Sequence, residues 1–421
     1  MVNESLTKDM DRKKRELKFL EVSGKDIVDE SGKKVRLRGV NLGGWLMMEG
    51  YILGGRNIPE SEFKRNLARR IGKDKSKEFF KEYRDFFFNE SDVKNIKGLG
   101  FNCVRAPFNY RLIEKDSEPY VYSKEGLGYL DRLVDWCEKY RIYCILDLHA
   151  SPGSQNRDWH SDRSGKALLW EKKKFQDRCI HLWKELARRY RLRSCVAGFD
   201  LLNEPVTREV AKLNKIYRDI VRSIRSVDER HIIFLEGNNW SQNLDVLDTS
   251  YDDNIVYSIH FYHPINFTFN FRPGLTYPGR IDGENWNKIK LKRLFQPYLK
   301  FMGKHNVPLF VGEFGVNSRC PECSSQLRWV EDVLELFAAF DFHWTYWTYK
   351  AVAGNIFPDG LFRLLENLDW VSREGPVRGW ENFYTLLKGG KRKILDSLKT
   401  ENFINQENLV SLLRNFIASP F

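Results

Sequence analysis

The sequence predicts an α/β protein folded as a (β/α)8 barrel (a TIM barrel) with an N-terminal β-hairpin and a C-terminal helical extension. Three observations predict it. Eight short apolar segments recur along the chain, stretches of helical periodicity separate most of them, and polar residues collect where the apolar segments end. Repeated strand–helix units imply a parallel sheet, and eight of them imply closure. A chain of 421 residues accommodates one such barrel with insertions.

In chain order, residues 1–17 are polar and charged and form an arm outside the barrel. Residues 18–34 alternate, with turn signals at Gly24 and Ser31-Gly32, and predict the hairpin. The barrel is assigned to 18–384. Its strands are expected at Val35–Asn41, Asn102–Arg105, Tyr143–His149, Gly198–Asn203, His231–Glu236, Ile255–His260, Leu309–Glu313 and His343–Thr348. Helices are expected at Leu130–Tyr140, Trp170–Tyr190, Asn214–Ser226, Trp286–His305 and Gln326–Phe340. The stretch between the fifth and sixth strands is short and poor in helix. Residues 385–421 hold a further helical pattern, Phe403–Ile417, and read as an extension packed on the barrel.

Composition narrows the class of function. The net charge of +12 raises the question of nucleic acid, but the basic residues are interspersed with acids. The run Lys172, Lys173, Lys174 has Glu171 before it and Asp177 after it, and reads as a solvated helix face. The run from Lys388 to Lys393 reads the same way, and no RNA- or DNA-binding motif accompanies either. Seven cysteines at irregular spacing argue against a disulfide framework. Cys103, Cys137, Cys144, Cys179 and Cys195 lie in apolar or amphipathic stretches and are expected in the core. Cys320 and Cys323 form a lone C-x-x-C without a second pair or nearby histidines, so no metal is expected there but a local disulfide or two free thiols, and no cofactor is expected for the chain. The first residues contain no apolar signal-peptide core, and no apolar run approaches roughly 18 residues. A cytoplasmic protein without membrane insertion is expected, or a secreted one if a leader has been removed.

Three of the eight strand ends carry glutamates: Glu204, Glu236 and Glu313. In a (β/α)8 barrel those ends share one face, where active sites lie. Glu204 in Leu201-Leu202-Asn203-Glu204-Pro205 and Glu313 in Val311-Gly312-Glu313-Phe314-Gly315 each follow an apolar strand and precede a break. Glycoside hydrolysis needs two carboxyl groups flanking the scissile bond, and glutamates at strands four and seven can face each other across the barrel mouth. Glu236 is the spare, suited to bind a sugar hydroxyl or to brace the rim.

With these motifs the chain resembles glycoside hydrolase family 5 from about Lys18 to Trp370, and within it the exo-β-glucanase and β-glucosidase members. The resemblance rests on N-E-P and G-E-F together with Arg105 in Cys103-Val104-Arg105, His149 in Asp147-Leu148-His149, Asn203, His260-Phe261-Tyr262 and Trp347 in Tyr346-Trp347-Thr348. It implies Glu204 as acid/base and Glu313 as nucleophile. Glu204 is then expected to rest protonated, raised by Glu313's charge and by burial, while Arg105 keeps Glu313 ionised. Tyr262 is expected to donate to the same carboxylate, and Asn203 to bind the sugar 2-hydroxyl. His149 and His260 are expected to line the subsite, with Trp347 as its apolar floor. The segments Asn41–Leu46 and Asp147–Asn156 resemble those of the exo-acting members, and the latter runs on into Asp158, Trp159 and His160. Trp159 and His160 are expected to contact substrate; Glu49 and Asp158 are candidates for outer hydroxyls.

The function implied is a retaining, exo-acting β-glycosidase on β-glucosides or short β-glucan oligosaccharides. A family endo-β-glucanase or mannanase is the alternative, and a non-catalytic carbohydrate-binding barrel is a distant one. Exo action is expected because two long loops, Ala150 to about Lys166 and His263 to Glu284, can wall off one end of a cleft. The oligomeric state is left open.

Overall fold

The computed structural model describes residues 17–318, 323–352, 356–364, 390–392 and 394–418. Eight parallel strands close into a barrel: β1 (Arg38–Asn41), β2 (Cys103–Asn109), β3 (Tyr143–Ala150), β4 (Val196–Asp200), β5 (Ile232–Glu236), β6 (Ile255–His260), β7 (Leu309–Phe314) and β8 (His343–Tyr346). Neighbours in sequence are neighbours in space, and β8 closes on β1. All eight expected strands are present. β1 starts later than the apolar run because Val35 and Lys34 pair back onto the hairpin Leu20–Ser23/Asp26–Asp29. β4 ends at Asp200, which frees Leu201–Glu204 to turn over the barrel mouth.

Helices α1 (Glu60–Ile71), α2 (Lys73–Phe87) and α3 (Glu90–Gly98) fill the long crossover from β1 to β2. Then α4 (Lys124–Tyr140), α5 (Lys173–Tyr190) and α6 (Val210–Arg225) follow β2, β3 and β4. Each buries one stripe against the strands, as Leu213, Ile216, Tyr217, Ile220, Val221 and Ile224 do on α6. Between β5 and β6 lies only the short turn Asn238–Ser241, so this unit lacks a full helix. The single helix expected over 286–305 is two, α7 (Lys288–Leu294) and α8 (Gln296–His305), because Pro297 starts a new helix at its first turn. After β7, α9 (Cys323–Ala339) leads to β8.

The segment expected to be helical over 403–417 opens with Ile404–Asn405, which joins Lys350–Val352 and Phe362–Leu364 in a small sheet. The helix α10 (Glu407–Ala418) then packs against α9. The 384/385 boundary, nearly all of the arm and the Cys320–Cys323 pair lie outside the described residues or side chains. The other five cysteines are buried and unpaired, as expected. No helix among the described residues is long and apolar enough to cross a membrane.

Two of the glycines bear directly on the barrel interior and the site. A Cβ on Gly198 would meet the Phe234 ring at 2.8 Å and the Ile232 carbonyl at 2.2 Å, so β4 must be bare there for Phe234 to fill the barrel. A Cβ on Gly312 would come within 3.1 Å of His260 Nε2, which sits directly across from β7.

Candidate active site

Arg105 is the hub. It rises from β2 into the upper barrel with its side chain fully buried. Its Nε donates to Asp200 at 2.8 Å, Nη1 to Glu313 Oε1 at 2.8 Å and to Asn41 at 3.1 Å, and Nη2 to Asn203 and Glu236, each at 2.8 Å. Asp147 lies 3.1 Å from Nη2. One guanidinium therefore faces four buried carboxylates, an arrangement that only its planar fork of donors can satisfy.

Glu204 stands just past β4 in a left-handed backbone conformation, φ +48, which a residue other than glycine adopts only when its surroundings hold it there. The holders are visible. Glu236 Oε2 accepts the Glu204 N–H at 2.6 Å, and Asn156 Nδ2 donates to the Glu204 carbonyl at 3.0 Å. Gln155 donates to the Asn203 carbonyl at 2.8 Å. The Glu204 carboxylate pairs with His260 Nδ1 at 2.7 Å and lies 3.5 Å from His160. Across the mouth, Tyr262 donates to Glu313 Oε2 at 2.9 Å, and His260 Nδ1 is 3.4 Å from the same oxygen. Carboxylate oxygens of Glu204 and Glu313 lie within 4.8 Å of each other.

Above them opens a cavity of about 430 Å³. Its floor is polar: Glu49, His149, Asn203, Glu204, His260 and Glu313, with Tyr262 and Trp347 at the sides. The His149 and Trp347 rings stack at 5.6 Å and 12°. One wall is aromatic. Phe357, from the segment after β8, meets Tyr51, Trp159, Phe269 and Phe271 at ring-centroid distances of 4.8, 6.1, 5.2 and 5.4 Å. At the mouth, the exposed Trp240 donates through Nε1 to Asp158 at 2.8 Å, which ties the loop after β5 to the loop after β3.

The proton balance differs from the order expected from the sequence. Burial opposes charge on His260, yet the Glu236 and Glu313 charges and the Glu204 hydrogen bond hold its imidazolium well above the ordinary histidine value. Burial likewise opposes charge on Glu204, but the His260 bond and charge, with His160, bring it below the usual carboxylate value. Burial raises Glu313 against the pull of His260 and Arg105. Glu313 and burial were the influences expected on Glu204 from the sequence; the imidazolium bonded to it acts in the opposite direction. Lower down, burial and the Glu236 charge push Asp200 up against the pull of Arg105.

Among the described residues, two groups have metal-compatible spacing: Glu204, His260 and Glu313, and Asp147, Asp200 and Glu236. In the second, the Arg105 guanidinium already occupies the point that the three carboxylates share. In the first, the candidate ligand atoms are engaged with one another.

The Cellulase (glycosyl hydrolase family 5) model matches residues 65–352, two thirds of the chain and all of the cavity lining except Glu49, Tyr51, Phe357 and Pro358. The chain belongs to glycosyl hydrolase family 5. This family 5 glycoside hydrolase is 36% identical to a β-xylosidase of Phanerodontia chrysosporium over 79% of its own length and 71% of that protein's. It is 32% identical to endoglucanase C of Acetivibrio thermocellus, over 66% of this chain and 89% of that one. Endoglucanase Cel5A of Thermotoga maritima shares the fold at 18% identity, with a TM-score of 0.61 over 90% of this chain and 96% of that one.

The structure of this family 5 member brings together His149, Trp159, His160, Asn203, Glu204, His260, Tyr262, Glu313 and Trp347 around one cavity. Arg105, expected among the substrate-binding residues, does not line it: it lies beneath, wholly engaged by protein partners. Glu49 lines the floor with Oε1 3.5 Å from His149 Nε2 and without a hydrogen bond, whereas Asp158 is occupied by Trp240. Sequence reasoning missed Tyr51 and Phe357, which no strand-end motif marks, and the clamping role of Gln155 and Asn156, whose residue types gave the only signal.

Proposed function

We propose that this chain is a retaining, exo-acting β-glycosidase that hydrolyses β-glucosides or short β-gluco-oligosaccharides by double displacement, with Glu313 as nucleophile and Glu204 as acid/base. One observation carries the reading: two carboxylates with oxygens within 4.8 Å share the floor of a cavity walled on one side. Retaining enzymes hold their carboxyl groups about 5–5.5 Å apart, whereas inverting ones need roughly 6.5 Å or more to admit a water.

In the first step Glu313, oriented by Arg105 and Tyr262, attacks the anomeric carbon as the bond to the leaving oxygen breaks. Glu204 supplies the proton. Moving one proton along the 2.7 Å bond from His260 Nδ1 to Glu204 converts the resting pair into acid and neutral imidazole. In the second step Glu204 takes a proton from water, which attacks the glycosyl–Glu313 ester from the opposite face and restores the original configuration. Asn203 immediately precedes Glu204 and lines the cavity with both glutamates, which suits it to receive the sugar 2-hydroxyl.

Support for exo action comes from the aromatic wall. Loops after β1, β3, β6 and β8 meet on Phe357, so a polymer lying across the floor would run into Tyr51, Trp159 and Phe269. Glu49 lines the same cavity, with its carboxylate 3.5 Å from His149 Nε2. The exposed Trp240 and Phe271 offer a flat apolar rim to the departing group.

The test is product analysis on aryl β-glucosides, aryl β-xylosides, cello- and laminari-oligosaccharides and a soluble β-glucan. Monosaccharide released with its β configuration, seen by NMR before mutarotation, is the expected result. A rapid fall in β-glucan viscosity with little monosaccharide would establish endo action, and an α first product would refute retention. The β-xylosides are included because the β-xylosidase relative leaves the glycone open between glucose and xylose.

A further inference from the structure

Glu236 is fully buried, does not line the cavity, and still gathers contacts from the proton-handling half of the site. Its Oε2 accepts the Glu204 backbone N–H at 2.6 Å and the Ser241 hydroxyl. Its Oε1 accepts Arg105 Nη2 at 2.8 Å and faces His260 Nε2 at 3.3 Å. Glu204 needs an external hold, because its φ of +48 places it in a region that favours glycine. Asn156 holds the carbonyl end of that residue, and Glu236 the amide end. Of the two, Glu236 alone also faces the histidine with which Glu204 exchanges its proton.

We propose that Glu236 is a positioning residue for proton delivery by Glu204: one oxygen fixes the Glu204 backbone, and the other keeps a proton on His260 Nε2, so that Nδ1 is the nitrogen that passes its proton to Glu204. This rests on Glu204 being the acid/base. A carboxylate is needed because the Glu204 N–H, the Ser241 hydroxyl and Arg105 all donate to it, while the buried His260 Nε2 faces it at 3.3 Å without a hydrogen bond elsewhere. An amide has one acceptor oxygen, and its NH2 would meet either the Glu204 N–H or the Arg105 guanidinium as a like donor. The nucleophile side is less exposed to the change, since Arg105 keeps Glu313, Asp200, Asn41 and Asn203.

The experiment is kcat/KM, which reports glycosylation alone, for a series of aryl and alkyl β-glycosides of graded leaving-group ability. Wild type, Glu204→Ala, Glu236→Gln and Ser241→Ala are compared. A dinitrophenyl leaving group needs no proton; an alkyl one does. Glu236→Gln is expected to lose on the order of 10²-fold on the alkyl glycoside and less than about 10-fold on the dinitrophenyl glycoside, a milder form of the Glu204→Ala pattern. Ser241→Ala, which removes one donor and no charge, is expected to show the same tilt at a few-fold loss, and it carries the test should Glu236→Gln fail to fold. A flat series for both variants, whether all substrates suffer equally or none does, overturns the positioning role if Glu204→Ala is steep. A flat series for Glu204→Ala overturns the acid/base assignment and this proposal with it.

Discussion

Toward the N-terminal ends of the barrel strands, the interior is filled by Cys103, Ile145, Ile232, Phe234, Val256 and Phe310, with Leu20 and Ile27 of the hairpin closing the bottom. Phe234 and Phe310 meet edge-on at 5.2 Å. Two residues further along, three of those strands carry Arg105, Asp147 and Glu236, joined by Asp200 from β4, His260 from β6 and Glu313 from β7. Side chains in a strand alternate between faces, so a step of two stays inside the barrel and moves one layer up. The lower layer is apolar and its burial stabilises the fold. The upper layer sets five carboxylates, those of Asp147, Asp200, Glu204, Glu236 and Glu313, against Arg105 and three histidines. Buried charge of that kind contributes little net stability even when well paired. The contrast locates fold and chemistry in successive layers of one structure.

The largest expected effect lies in the upper layer. Glu313→Ala should lower kcat by at least about 10⁴-fold while Tm stays level or rises, because the variant sheds a buried carboxylate whose burial opposes its charge. Steady-state kinetics and calorimetry on the same preparation check it; activity and Tm falling together would erase the division between layers. Phe310→Ala in the lower layer should do the reverse. It should cost about 3–5 kcal/mol in chemical unfolding and leave kcat/KM of the folded protein near wild type. The smallest effect is one of slope. Burial opposes charge on His149, but Asp147 and Glu49 hold it up to about 10 against an ordinary 6.5. The folded state thus favours the protonated ring, so its contribution is full below pH 6.5 and is lost as pH rises through about 10. His149→Gln should flatten the decline of urea midpoints across that window, and an unchanged slope would mean that His149 carries no charge in the fold.

Much of this was legible before any coordinates. The eight strands were visible because strands buried on both faces are continuous apolar runs of fixed length, and the chemistry stood out as polar residues ending them. The break between α7 and α8 was also written in the chain, at Pro297, but a shared helical periodicity on both sides masked it. Ile404–Asn405 was not legible as strand, since two residues acquire that identity only from the partner at Phe362–Leu364. In the site, Glu204 and Glu313 were marked by motifs, whereas the duty of Glu236 was left between a sugar contact and a brace. That choice depends on which donors converge on it from β2, β4 and β6, and sequence separation hides them. The downward shift of Glu204 was hidden for the same reason: it follows from a 2.7 Å contact between residues 204 and 260.

The central claim, that Glu313 forms a covalent glycosyl intermediate and Glu204 serves it as acid/base, is tested most directly by trapping. An activated 2-deoxy-2-fluoro-β-glucoside slows both steps, and deglycosylation the more, so the intermediate accumulates and its peptide can be identified by mass spectrometry. The account predicts one sugar per chain, attached to Glu313, with loss of activity in proportion to labelling and recovery on adding an acceptor. A label on Glu204 or Glu236, or an unlabelled enzyme that turns the same probe over with inversion, would contradict it.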